Sequence, residues 1–251
     1  MFFEESRDRR RCDKSPRRPA FPPAERGLVA VNVDVRVHVA LRDANTHGTL
    51  LAKTRGMLPV ADPADRTFKK TTFAGPFKYS SQKKFERGLM KLLNEIVKKD
   101  FPYFGACYGF GTVIKNAGGN VSKKQYSENA GPVTIKIRAE AADDKLMRGL
   151  PKSFRAFVGH KEACFRLPKG AVWLAESAQC PYQMVRIKQN IYAAQFHPEL
   201  DACEFCVRVD VYKNYGYFDP KDAEKLKKKA MREKITTPME ILRRFTEFYG
   251  S

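Results

Sequence analysis

A chain of 251 residues, 43% of them hydrophobic, can build one large α/β domain or two small ones, which excludes wholesale disorder. It holds no apolar run near the ~20 residues a membrane helix needs, and Met1-Phe2-Phe3-Glu4-Glu5 has the pattern of neither a signal peptide nor a transit peptide, so a cytoplasmic protein without a membrane partner is expected. The formal net charge of +19 can draw nucleic acid or anionic partners. No nucleic-acid module accompanies the lysines of 221–234 or the arginines of residues 1–26, so a solvated basic exterior is expected and nucleic acid is not the expected partner.

Residues 1–26 are polar and rich in arginine and proline, as in Ser15-Pro16-Arg17-Arg18-Pro19, and read as a disordered basic arm. From Val29 to Val39 every second residue is valine, which predicts one strand over 28–41 with one buried face. Arg42 to Lys70 carries no usable pattern, leaving 27–70 as a divergent N-terminal segment of uncertain fold ahead of a main domain over 71–251. Ser81–Lys99 sets Phe85, Leu89, Leu92, Leu93, Ile96 and Val97 on one helical face. Asp100-Phe101-Pro102 ends that helix, because proline keeps the residue before it out of helical geometry.

A short strand over Phe101–Phe104 then leads into Gly105-Ala106-Cys107-Tyr108-Gly109, and a helix over Thr112–Asn116 runs up to Gly118-Gly119. Further strands are predicted over Val133–Ile137, Phe154–Val158, Ala171–Ala175 and Met184–Ile187, with a buried one over Ile191–Phe196 running straight into His197. Asp219-Pro220 and Thr237-Pro238 open two closing helices, and Gly250 ends the second. Strands alternating with helices, with reactive residues at strand ends, indicate an α/β sheet whose site lies at the carboxyl edge.

The cysteines at 12, 107, 164, 180, 203 and 206 follow no disulfide framework, in a chain large enough not to need one, and read as free thiols in a reducing compartment. Cys203-Glu204-Phe205-Cys206 stands alone; with no second pair and no suitably spaced histidines, no metal is expected. A lone cysteine is more often a small buried hydrophobe than a nucleophile. Cys107 differs because it sits between glycines at a strand-to-helix junction, where the turn leaves no room for neighbouring Cβ atoms. The positive end of the following helix favours the thiolate, the reactive form. His197 can then serve as base and Glu199 can hold its tautomer, giving a Cys-His-Glu acyl-transfer constellation. The N–H of Tyr108, at the helix start, is the natural first oxyanion donor.

Three stretches carry a family resemblance: Phe104-Gly105-Ala106-Cys107-Tyr108-Gly109, Gly159-His160-Lys161-Glu162-Ala163, and Gln195-Phe196-His197-Pro198-Glu199-Leu200-Asp201. From Asp100 to about Phe218 the chain resembles the class I glutamine amidotransferases, close to the glutaminase portion of GMP synthase and its stand-alone relatives. The resemblance implies a three-layer, flavodoxin-like α/β sheet with helices on both faces. It implies that Cys107 attacks the side-chain amide of glutamine, releasing ammonia, and that His197 activates water to hydrolyse the glutamyl thioester. Gly75 falls where the family supplies the second oxyanion donor, and Tyr126 and Glu128 match a region near the glutamine pocket, where a plain solvated loop is an equal alternative. His160 is implied to be a pocket-side or structural histidine.

No cofactor is implied, and the absence of a Gly-x-x-x-x-Gly-Lys-[Ser/Thr] loop makes the chain look like the ammonia-supplying half of a reaction completed by a synthetase partner. Two departures stand out. Gly111 occupies the position, four after the nucleophile, where many members carry glutamine, and the amphipathic valine strand stands where the family opens with a strand buried on both faces. The same residues would also suit a γ-glutamyl amide or isopeptide hydrolase, or a catalytically silent binding protein that keeps the fold.

Overall fold

The computed structural model describes residues 30–33, 36–38, 79–214 and 216–249. The arm expected over 1–26, the unpatterned stretch Arg42–Lys70, Gly75 and Gly250 lie outside the described residues. The strands are β1 (Ala30–Val33), β2 (Arg36–His38), β3 (Tyr103–Ala106), β4 (Asn120–Ser122), β5 (Glu128–Ile137), β6 (Ser153–His160), β7 (Ala163–Arg166), β8 (Val172–Glu176), β9 (Met184–Ile187) and β10 (Ile191–Ala194). The α-helices are α1 (Tyr79–Lys99), α2 (Tyr108–Asn116), α3 (Ala202–Tyr212), α4 (Ala223–Ala230) and α5 (Thr237–Tyr249).

One sheet runs in the order β2-β1-β3-β10-β9-β8-β5-β6, and β4 pairs with β7 apart from it. The sheet is mixed: β3 is parallel to both β1 and β10, and the other pairs are antiparallel. Connection length explains the split. A parallel pair needs a crossover of a dozen or more residues, whereas Lys188-Gln189-Asn190 alone joins β9 to β10 and permits only a hairpin.

The two central strands are buried along their whole length, and their side chains alternate between two cores. Phe104, Tyr192 and Ala194 pack with Ile241, Leu242 and Phe245 of α5. Tyr103, Ile191 and Ala193 pack with Leu89, Leu93 and Ile96 of α1 and with Phe110, Val113 and Ile114 of α2. Successive residues of one strand point to opposite faces, so α1 and α2 cover one face and α5 the other: the three-layer α/β arrangement expected. Phe245 meets Phe104 edge-on, with ring centroids 5.4 Å apart. Burying an aromatic ring of this kind is worth about 2–3 kcal/mol. A third core, around Phe157, Phe205 and Val209, holds α3 and α4.

Most predicted elements lie where the pattern puts them, with instructive exceptions. The valine run is two strands, not one: β1 and β2 pair antiparallel, Val31 opposite His38 and Val33 opposite Arg36. Period two fixes which residues share a face but does not mark where a chain turns back. β1 nonetheless supplies a parallel neighbour to β3, with Ala30 opposite Tyr103. The helix after the elbow begins at Tyr108, not Thr112. Asp219-Pro220 opens a 3₁₀ turn over Pro220–Asp222, which leads into α4. Helix α3 and the short strands β4 and β7 lie in stretches where no element was predicted.

Candidate active site

Cys107 is the single residue between β3 and α2, with φ 48° and ψ −96°, in the left-handed region that L side chains rarely enter. Such a conformation costs on the order of 1–3 kcal/mol and persists only where its surroundings impose it. Here they do. The Cys107 N–H donates to the Ala194 carbonyl at 2.8 Å, tying the turn to the end of β10, while the Gly111 N–H donates to the Cys107 carbonyl at 3.1 Å, starting α2. A Cβ on Gly105 would lie 2.8 Å from the carbonyl carbon and 2.8 Å from the oxygen of Gly109, so only glycine lets strand and helix approach this closely. Cys107 itself is half-buried.

Beyond β10 the chain delivers His197, whose N–H donates to the Phe157 carbonyl on β6 at 2.9 Å. The imidazole is buried, and its Nδ1 lies 2.8 Å from Glu199 Oε1. Cys107 lies close enough to the ring to favour its protonated form. Burial alone would favour the neutral ring, but Glu199 and Cys107 outweigh it and push His197 up to about 10. Burial likewise works against the Glu199 carboxylate, yet His197 and then Arg208 hold its carboxyl below the ordinary value. The result is a charged, hydrogen-bonded set at the carboxyl ends of the two parallel strands β3 and β10, where open α/β sheets place their ligands.

Glu128 and His160 also come together, but with each other and not with Cys107. Glu128 Oε2 lies 2.8 Å from His160 Nε2, and His160 Nδ1 lies 3.0 Å from the Glu162 carbonyl. Two residues with no sequence signal complete the knot: Ser177 Oγ donates to Glu128 Oε1 at 2.7 Å, and Gln183 Nε2 donates to Glu128 Oε2 at 2.5 Å. Together with Cys180, Glu128 and His160 set three donor atoms within 4.8 Å of one another, all buried, and these residues could hold a metal ion. Both Glu128 oxygens and both His160 nitrogens are already engaged in protein hydrogen bonds, while Gln183 Oε1 is buried without a partner.

Glu128 and His160 line a cavity of about 350 Å³ with Lys123, Ser127, Asn129, Lys161, Gly216 and Tyr217. Tyr126 is not among its lining residues; it is 41% exposed, at a φ of 60°. Tyr217 also borders the small pocket against His197 and Arg208, so the two spaces adjoin. Arg208, on α3, is a further residue at the candidate site, and its helix was not predicted.

Strand, strained cysteine and helix in this order define an α/β protein of the nucleophile-elbow type. The chain belongs to the class I glutamine amidotransferase family, whose model matches residues 73–205. It is 34% identical over 122 residues to a GMP synthase (glutamine-hydrolyzing) of Thermosipho africanus, a match covering 48% of this chain and 23% of that one. It is 33% identical over 120 residues to a GMP synthase (glutamine-hydrolyzing) subunit of Archaeoglobus fulgidus, covering 46% of this chain and 61% of the relative. These matches therefore span about a quarter and under two thirds of the two relatives. Among solved structures, a glutamine amidotransferase from Thermotoga maritima superposes with a TM-score of 0.58 at 26% identity, covering 70% of this chain and 75% of that one. No helix among the described residues is long and apolar enough to cross a membrane.

Proposed function

We propose that this chain hydrolyses the side-chain amide of glutamine with Cys107 as nucleophile, His197 as general acid and base, and Glu199 as its orienting carboxylate. The observation that carries this reading is Cys107 held at a left-handed elbow beside a buried histidine whose charge it favours and which is itself anchored on a carboxylate. In the first step the sulfur forms a bond to the amide carbon, and the carbonyl oxygen takes up negative charge. His197 passes its proton to the departing nitrogen, which leaves as ammonia. In the second step His197 removes a proton from water, hydroxide adds to the thioester, and glutamate leaves as the sulfur takes back its electrons. General acid–base help of this kind is worth ~10²–10⁴ in rate.

Both tetrahedral states need donors for their oxyanion. Tyr108 opens α2, and the first N–H groups of a helix have no acceptor within it, which supports its N–H as one donor. Gly75 is proposed as the second on the family resemblance. One such donor is worth ~10²–10³ in rate. Glu128 and His160 are proposed to act on the substrate side by walling the 350 Å³ cavity. The ammonium groups of Lys123 and Lys161 there suit an amino acid's carboxylate. Tyr126 is assigned to the outer rim of the same loop. We further infer delivery of the ammonia to a synthetase partner, as the name of the Archaeoglobus relative suggests, and a cytoplasmic setting consistent with the free thiols.

The test is ammonia and glutamate release from glutamine by the chain beside Cys107→Ala and His197→Ala. Release by the parent that vanishes in both variants is expected. Release that survives Cys107→Ala would overturn the assignment.

A further inference from the structure

We propose that Arg208 is a positioning residue for His197: its guanidinium lies over the imidazole face and, reaching Glu199, holds the ring in the plane that addresses Cys107. This rests on reading Cys107, His197 and Glu199 as the reacting set. Arg208 Nη1 stands 3.2 Å from Nδ1 and 3.2 Å from Nε2 of His197. A nitrogen equally near both ring nitrogens lies either beyond Cε1 in the ring plane or over the ring. The in-plane position would press it into Cε1, inside van der Waals contact, so the guanidinium sits over the face. There it points along neither in-plane direction, leaving Nδ1 to Glu199 and Nε2 to the cysteine. Arg208 Nη2 is 3.5 Å from Glu199 Oε1, the oxygen that Nδ1 already meets.

The helix that carries Arg208 is docked on β6, the strand that also accepts the histidine's backbone N–H. Phe205, one turn earlier on α3, stacks on Phe157 of β6 with centroids 4.3 Å apart and 12° between the rings. The Phe157 carbonyl accepts the His197 N–H. Arg208, His197, Leu200, Phe205, Val209 and Tyr212 all border one small pocket, and the Arg208 side chain is 21% exposed. Among the described residues, the charged groups that face the imidazole are Glu199 from its own loop, Cys107 from the elbow and Arg208 from α3. Glu199 draws a proton onto the ring and a cation over its face opposes this. The pair thus keeps the imidazolium formed yet able to release its proton to a leaving group. A lysine would keep the charge and lose the flat contact, since only the guanidinium is planar.

Two measurements on the full chain decide the matter. In the Cys107→Ala background, ¹⁵N-histidine spectra follow His197 against pH with and without Arg208→Gln. Removing the cation should raise the pH at which the ring loses its proton by about one unit, and an unchanged titration would overturn the proposal. In the otherwise native chain, Arg208→Lys should lower kcat for glutamine by about 10-fold or more while KM stays within about threefold, the signature of a misplaced base. A kcat equal to the parent's would refute positioning by the plane. A parent that released no ammonia would sink the glutaminase reading alone, because the titration needs no turnover.

Discussion

The elbow can be broken by a single methyl group. In Gly105→Ala the new Cβ would lie 2.8 Å from the carbonyl carbon of Gly109, 2.8 Å from its oxygen and 2.8 Å from Cε1 of Tyr103. Two of these contacts are the backbone of α2, which cannot swing aside. The third belongs to a ring 2% exposed, whose hydroxyl donates to the same Gly109 carbonyl at 3.4 Å. Strand and helix must separate by several tenths of an ångström, and Cys107 sits at their junction. Overpacking of this kind costs about 3 kcal/mol, the upper end of its usual range, out of a domain stability on the order of 5–15 kcal/mol. The variant should therefore fold but unfold earlier in urea, and its glutamine hydrolysis should fall by about 100-fold. Gly111→Ala is the matched comparison, since a Cβ there meets nothing within 4 Å. Inside α2 it should stabilise by about 0.5–1 kcal/mol. If Gly105→Ala matched the parent within about 0.5 kcal/mol and in hydrolysis rate, the argument that strand–helix contact shapes the elbow would be wrong.

Glu199→Gln keeps the shape of the carboxylate and removes its charge, so kcat should fall by about 10²–10⁴ with KM little changed, read from steady-state ammonia release. The raised affinity of His197 for its proton also couples folding to pH. Its contribution to stability is fully present below the unfolded value near 6.5 and is lost as pH rises through about 10. Urea melts of the parent and His197→Gln should therefore differ most near pH 6 and converge toward pH 10; a gap that widened with pH would contradict this. Ser177→Ala strips the donor 2.7 Å from Glu128 Oε1 and leaves a buried carboxylate oxygen short of a partner. It should cost about 1–3 kcal/mol in the same melts, and a neutral result would mean that the knot around Glu128 is not structural.

What could be read from the chain follows from where the physics is local. The elbow was legible because glycine at 105 answers a steric demand made within five residues. β10 was legible because a strand buried on both faces leaves an unbroken apolar run. Helix α3 was not, although Asp201 and Glu204 form a capping box at its start, because Val207 and Val211 are 64% and 60% exposed and blur the apolar stripe. The valine run predicted strand where strand lies, but one where there are two, since alternation is blind to reversal. Tertiary contacts beyond the Cys107–His197–Glu199 set were out of reach. Nothing near Glu128 in the chain announces Ser177 or Gln183, and Arg208 meets His197 only because Phe205 first stacks on Phe157.

That last dependence says something about how the site tolerates change. Phe157 fixes His197 through its carbonyl and α3 through its ring, and only Leu200 separates Glu199 from Asp201, the residue that caps α3. Base, carboxylate and guanidinium thus share Phe157 of the third core as a common reference, not three independent loops. A shift of α3 alone separates the guanidinium from a ring that stays in place, held by β10 through the chain and by β6 through the Phe157 carbonyl. Sites built on shared, rigid elements hold their geometry within fractions of an ångström. By that reasoning, substitutions that loosen α3 should disturb the guanidinium's hold on His197 more than equally destabilising ones elsewhere in the sheet.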